Sequence, residues 1–374
     1  MSDSFSRTEI LAATVKLSVL AACTYVTLKF ILGQLDPDSE AESAYKSAYK
    51  KAKAILNRLG LSNDKNLKSL SQHEMMIAKG LIDPQDITTT WDQIAGLDNV
   101  LQELRETVIL PIQKKELFAD SHLTRAPKGV LLFGPPGCGK TMIAKAIARE
   151  AGCNFINLDM SCVTDKWYGE SQKLACAVFT LAVKLQPCIV FIDEIDSFLR
   201  NRSSFDHEAT AMVKAQFMSL WDGLTTDPSC TVIVMGTTNR PQDLDRAILR
   251  RMPASFHIDM PNAVQRQQIL ETILKTEPVA NDVNLRRLAE ISDGFSGSDL
   301  RELCRSASVY RLKDFMNTNQ KEKLNTSNES EDEFHDALRP ITMEDLTTAY
   351  LKLRNSKDFC GADYSRQEAS WSRV

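Results

Sequence analysis

Three short apolar runs, residues 129–133 (GVLLF), 188–192 (CIVFI) and 231–235 (TVIVM), carry no charge and stand along the middle of the chain. Runs of this length without alternation are those of strands buried on both faces, as in a parallel sheet. Residues 154–159 add a strand-like segment. Helical stretches lie between and after them: residues 140–150, closed by Gly152 as a carboxyl-terminal cap, a helix beginning near Ser171, and residues 243–251. From Pro261 onward the periodicity is helical throughout, over residues 264–274, 285–291, 298–315 and 343–353, the last preceded by Thr342 as its cap. The fold class is therefore α/β, a parallel sheet flanked by helices, followed by a small all-α part that starts at Pro261. Residues 325–336 are polar and acidic and read as a disordered loop.

The amino-terminal pattern is of another kind. Residues 10–32, ILAATVKLSVLAACTYVTLKFIL, would rise about 34 Å as a helix against a hydrocarbon core of about 30 Å. Lys16 and Lys29 interrupt the stretch near its ends, where lysines snorkel, so a single transmembrane helix is expected. A mitochondrial presequence is the competing reading. Asp3, Glu9 and Lys16 argue against a cleaved secretory signal. Lys46, Lys50, Lys51 and Lys53 follow the span and only Arg7 precedes it, which puts the large carboxyl-terminal part on the cytosolic side. Residues 44–60 carry Tyr45, Tyr49, Ala52, Leu56 and Leu59 at helical spacing, an amphipathic juxtamembrane helix whose apolar face meets either lipid or the next domain.

Composition narrows the classes. The 374 residues are 43% hydrophobic and 25% charged, close to a globular average, which excludes a largely disordered chain and a polytopic membrane protein. A net charge of −4 leaves no basic surplus for a phosphate backbone, so no nucleic-acid partner is expected. Nine cysteines without a Cys-x-x-Cys pair point to a reducing compartment, and no Cys/His spacing suits structural zinc.

The chemistry lies at the ends of the apolar runs. Directly after residues 129–133 come Gly134, Pro135, Pro136, Gly137, Cys138, Gly139, Lys140 and Thr141, then the helix, whose next residue is Met142. The glycines let backbone N–H groups turn inward on phosphate oxygens, the lysine neutralises the β and γ phosphates, and the threonine hydroxyl holds Mg²⁺. ATP with Mg²⁺ is the expected cofactor pair. The second run ends in Asp193 and Glu194, two carboxylates where an α/β sheet binds ligands. Asp193 suits the Mg²⁺ shell with Thr141, and Glu194 suits a base that orients and polarises the attacking water. After the third run, Asn239 can reach that water or the γ phosphate, although Asn after a strand is also ordinary turn chemistry. Arg250 and Arg251 end a helical stretch, as solvated helix ends or as arginine fingers supplied to a neighbouring subunit. Cys138 inside the loop is either small filler or a redox-sensitive thiol.

GPPGCGKT, CIVFIDEID, MGTTNRP, LDRAILRRMP and GFSGSDL, in this order over about residues 91–356, resemble an AAA+ ATPase module of the meiotic-clade kind, related to katanin and spastin. With the anchor in front, the chain is similar to the mitochondrial outer-membrane AAA proteins that extract membrane proteins. The resemblance implies that Ile94, Ala95 and Gly96, in TWDQIAGL, touch adenine. It implies that Asn239 senses the γ phosphate, that Arg250 and Arg251 act across a subunit boundary, and that Gly297 offers a backbone contact in a second sensor region lacking the arginine of distant relatives. Trp167 and Tyr168 resemble a first pore loop that grips substrate; exposed adjacent aromatics in a loop favour recognition over packing. The loop with His207 corresponds to a second pore loop, or to a plain solvent-exposed connection.

The expected organisation is a tail over residues 1–9, the span at 10–32, a linker domain at 33–90, an α/β ATPase part at 91–260 and a helical lid with carboxyl-terminal helix at 261–374. The resemblance implies a homohexamer that threads tail-anchored and other membrane proteins through its pore, located in the mitochondrial outer membrane and also considered for the peroxisomal membrane. Two readings stand beside it. A microtubule-severing ATPase would need a basic linker that residues 33–90 do not supply, and intact Lys140, Asp193, Glu194 and Asn239 argue against a non-enzymatic scaffold.

Overall fold

The structure, a computed structural model, describes residue 50 and residues 70–118, 126–160, 170–199, 208–226, 230–322 and 338–359. The chain divides into two compact units, Met1–Asp64 and Lys65–Val374, and every element below belongs to the second. The expected span at 10–32 and the amphipathic helix at 44–60 fall outside the described residues, apart from Lys50. Among the described residues no helix is long and apolar enough to cross a membrane.

Strands β1 (Leu81–Ile82), β2 (Gly129–Phe133), β3 (Asn154–Asn157), β4 (Cys188–Ile192), β5 (Val232–Thr238) and β6 (Ala254–His257) form one sheet in the order β1-β3-β4-β5-β2-β6. Only β1 runs antiparallel; all other pairs are parallel, as the unbroken apolar runs predict. Register decides what meets at the carboxyl edge. Phe133 lies opposite Thr238, which brings Gly134 alongside Asn239, and Ile192 lies opposite Gly236, which brings Asp193 alongside Thr237.

Helix α1 (Gln72–Ile77) precedes β1, α2 (Asp98–Leu104) follows it, and α3 (Lys140–Ala151) follows β2. In α3, Ile143, Ala144, Ile147 and Ala148 recur on one face and bury against Val130, Leu132, Ile189, Ile233 and Met235 of the sheet. Each large aliphatic side chain so buried contributes about 1.5–3 kcal/mol. Gly152 closes α3 in the left-handed conformation at φ 64°, as its position in the sequence predicts. The opposite face is covered by α4 (Glu170–Lys184) and α5 (Glu208–Thr226), where Phe179 packs on Phe217 at 4.8 Å and Phe217 meets Trp221 edge-on at 6.2 Å.

Two sequence boundaries move. The stretch 72–90, drawn into the linker, is part of the α/β layer: β1 extends the sheet, and Met75, Ile77, Leu81 and Ile87 are buried. α1 is held by a buried carboxylate, Glu74, which accepts from Ser71 N at 2.8 Å, Thr180 Oγ1 at 2.8 Å and Lys184 Nζ at 2.8 Å. Burial raises the Glu74 pKa, but these donors more than offset it and hold it below the ordinary value. β5, second, runs on through Gly236, Thr237 and Thr238, because the buried hydroxyls find carboxylate partners and need not turn outward.

After the short helix α6 (Arg246–Arg251) and β6, the chain enters α7 (Ala263–Leu274), α8 (Leu285–Ile291), α9 (Gly297–Glu322) and α10 (Met343–Phe359). They share a separate core of Leu270, Leu288, Phe295, Leu300, Leu303, Leu346 and Ala349, the helical lid. α9 and α10 outrun their expected ends because no Gly or Pro stops them and polar residues continue a helix without apolar spacing.

Candidate active site

The loop from Gly134 to Gly139 turns between β2 and α3, and its three glycines carry positive φ, 145° at Gly134, 78° at Gly137 and 93° at Gly139. At Gly134 a Cβ would lie 1.9 Å from Ile258 O, and at Gly137 it would lie 2.6 Å from Ser296 Oγ, so side chains are excluded by contact as well as by backbone conformation. Lys140 opens α3 and is buried; its Nζ donates to Gly134 O at 2.9 Å and Pro135 O at 2.7 Å. Burial lowers the Lys140 pKa, and Cys138, Asp193 and Asp196 oppose that shift. A cation with three donors, held over the glycine-rich turn where a helix begins, suits a polyphosphate.

Across the sheet edge, Thr141 Oγ1 donates to Asp193 Oδ2 at 3.0 Å. Hydroxyl and carboxylate oxygens this close form the hard donor set that Mg²⁺ takes, so the residues fit that ion. Glu194 follows in the left-handed region, φ 49° and ψ 51°, the one non-glycine residue with positive φ among the described residues. Such a conformation costs about 1–2 kcal/mol and concentrates at functional sites. Asn239 follows β5 directly and is half-buried.

The adenine-side residues predicted by resemblance are also at hand. Ile94 packs against the main core, and Gly96, at φ 81°, passes so close to α7 that a Cβ would lie 2.7 Å from Gln265 Cβ. Gln265 caps α7 and its amide also donates to Gly96 O. Ala95 lies between them, half-buried. From the lid, Ser298 N donates to Gly137 O at 3.1 Å, which seats Gly297 and the start of α9 on the phosphate loop. Met142 faces the lid too, with Arg301 Nη2 4.0 Å from its sulfur. Cys138 Sγ lies 3.5 Å from Met260 Sδ, and burial pushes its thiol up to about 11. This favours filler over redox chemistry.

Arg250 is exposed on α6, whereas Arg251 is engaged within the chain by Asp222. Trp167, Tyr168 and His207 lie outside the described residues. Sequence reasoning missed Thr237, Thr238, Asp196, Ser298 and Gln265. The paired threonines of MGTTN were the available signal for the first two, yet hydroxyls at a strand end read as turn chemistry.

The family model for ATPases associated with various cellular activities (AAA) matches residues 130–260, and that for the AAA+ lid domain matches residues 282–326. The chain is 56% identical over 353 residues to the outer mitochondrial transmembrane helix translocase of Homo sapiens, covering 94% of this chain and 93% of that protein. It is 49% identical over 307 residues to the mitochondrial sorting homolog of Caenorhabditis elegans, covering 82% of this chain and 87% of that protein. Among solved structures, the crystal structure of the FIGL-1 AAA domain matches with a TM-score of 0.65 at 32% identity, over 82% of this chain and 98% of that chain. With the phosphate loop, the paired acids and the lid in their places, the chain belongs to the AAA family of ATPases, in the group that includes the outer mitochondrial transmembrane helix translocases.

Proposed function

We propose that this protein is a membrane-anchored, ATP-driven translocase that extracts mislocalised tail-anchored proteins from the outer mitochondrial membrane, and from the peroxisomal membrane as a second site. The observation that carries the reading is the 56% identity, spread over 94% of the chain, to a protein named for translocating transmembrane helices at that membrane. The organisation follows the sequence: anchor at 10–32, linker to the start of the ATPase, α/β part to residue 260 and lid beyond. Neither the severing nor the scaffold reading has an observation in its favour.

In this function the backbone N–H groups of the loop from Gly134 to Thr141, those of Pro135 and Pro136 excepted because proline has none, and the Lys140 ammonium bind the phosphates, and Ile94, Ala95, Gly96, Met142 and Gly297 line the rest of the nucleotide. Thr141 and Asp193 hold Mg²⁺, which when bound neutralises charge on the phosphate oxygens. Glu194 orients and polarises a water, Asn239 hydrogen-bonds that water or the γ phosphate, and arginine from the next subunit of a homohexamer meets the developing charge. Trp167 and Tyr168, with the loop containing His207, grip the polypeptide through apolar and aromatic contact.

The test reconstitutes the full-length enzyme with a tail-anchored protein in liposomes and measures phosphate release together with transfer of the substrate to a soluble trap. Wild type does both; Trp167→Ala with Tyr168→Ala hydrolyses ATP and extracts nothing. Extraction by the double variant at the wild-type rate overturns the pore-loop roles, and hydrolysis by wild type without extraction overturns the translocase reading.

A further inference from the structure

The carboxyl end of β5 carries two buried threonines, and they do different work. Thr238 Oγ1 donates to Asp196 Oδ1 at 2.6 Å and accepts from Arg240 N at 2.9 Å, which shapes the turn at Asn239. Thr237, 1% exposed, sits where the β4–β5 register brings it beside Asp193. Its hydroxyl donates to Asp193 Oδ1 and accepts from Glu194 N at 3.2 Å. Glu194 N also lies 3.2 Å from Asp193 Oδ1, so Thr237, Asp193 and the Glu194 amide form a closed triangle of hydrogen bonds. The remaining carboxylate oxygen, Asp193 Oδ2, is the one that Thr141 Oγ1 reaches at 3.0 Å.

We propose that Thr237 is a positioning residue of the hydrolytic site: one hydroxyl turns Asp193 so that its free oxygen faces Thr141, and anchors the left-handed turn that carries Glu194. A hydroxyl has one donor and two acceptor lone pairs, so a single threonine serves both neighbours, which alanine or valine could not. Without it Asp193 is free to rotate away from Thr141. The Glu194 backbone, in a conformation that needs its surroundings to enforce it, loses one of the two acceptors of its N–H. Partners of metal-ligating carboxylates orient the ligand, and removing one typically costs about 10- to 100-fold in metal affinity or activity. The inference rests on the proposed assignment of Asp193 to Mg²⁺, and the experiment separates the two.

Full-length protein loaded with ADP is titrated with Mn²⁺ while free Mn²⁺ is followed by electron paramagnetic resonance, beside the Mg²⁺ dependence of ATP hydrolysis. Thr237→Val, which keeps the branched shape and removes the hydroxyl, is expected to weaken Mn²⁺ binding and lower kcat about 10- to 100-fold each. ADP affinity without a divalent ion stays as in wild type, and Thr237→Ser restores both quantities. Thr237→Ala is read in the same way if the valine variant does not fold. A Thr237→Val protein with a lowered melting temperature but an unmoved Mn²⁺ curve has lost packing alone, and overturns the inference. If Asp193→Asn binds Mn²⁺ like wild type, the metal assignment fails and the inference with it. If Asp193→Asn weakens Mn²⁺ while Thr237→Val and Thr237→Ala do not, only the inference fails.

Discussion

Arg251 grips Asp222 in a two-point ion pair, Nε to Oδ1 at 2.7 Å and Nη2 to Oδ2 at 2.6 Å, and also donates to Ala247 O at 2.9 Å. Its neighbour Arg250 is exposed, and its side chain makes no hydrogen bond or ion pair among the described residues. Two adjacent arginines that read alike in the sequence therefore hold different positions in the folded subunit. One is tied to α5 and the other is free to reach a neighbour.

If that difference persists in the assembly, Arg250→Ala lowers hydrolysis about 10³-fold or more while each subunit still binds ATP. Arg251→Ala removes a partly exposed pair and costs about 1 kcal/mol of stability, with a smaller loss of turnover, and Asp222→Asn reproduces it. Steady-state hydrolysis, nucleotide titration and urea unfolding of the three variants check this. Equal kinetic losses for Arg250→Ala and Arg251→Ala, with no change in stability, would abolish the division of labour.

Glu194 links activity to backbone strain. Glu194→Gln keeps ATP binding and loses about 10²- to 10⁴-fold in hydrolysis, because the amide is nearly isosteric but polarises no water. Glu194→Gly is equally inactive yet no less stable than wild type, since relief of the left-handed cost of about 1–2 kcal/mol offsets the extra chain entropy of glycine. Single-turnover hydrolysis and thermal unfolding measure the pair. A glycine variant clearly less stable than wild type would show that no strain is stored there.

Cys138 titrates near 11, so at pH 7 only about one thiol in 10⁴ is a thiolate. Iodoacetamide labelling at Cys138, followed by mass spectrometry from pH 7 to 10, is expected to be far slower than for a free cysteine and to climb about tenfold per pH unit. Fast labelling at pH 7 would restore the redox reading of the loop.

In the lid, Asp345 accepts from Arg339 at 2.6 and 2.8 Å and from Thr342 N at 3.0 Å, which joins the start of α10 to the preceding turn. Hydrogen bonding by Arg339 lowers its pKa from 3.8 to about 2. The folded value lies below the unfolded one, so the contribution, about 2 kcal/mol, is present above pH 4 and lost as the pH falls from about 4 to 2. Asp345→Asn is expected to be less stable by roughly that amount at pH 7, the deficit closing below pH 4. Urea unfolding at several pH values tests it, and a constant deficit would assign the loss to packing instead.

What the sequence determined by itself is what neighbouring residues decide together. The phosphate loop, the acids ending β4 and the Gly152 cap each carry their own backbone chemistry, so spacing alone locates them: glycine permits the turn, an uncharged run buries a strand, and a left-handed cap ends a helix. Tertiary structure decided whatever depends on register and on distant partners. Leu81 and Ile82 are too short a pair to read as a strand, and become one only because β3 offers them an edge. Thr237 becomes a partner of Asp193, 44 residues away, because β4 and β5 align Ile192 with Gly236. Arg251 differs from Arg250 only because Asp222 waits on α5, and Ser298 reaches Gly137 across 161 residues because the lid core packs as one body. Local chemistry is written in adjacent positions, whereas a hydroxyl or a guanidinium acquires its role from whatever packing sets within about 3 Å of it.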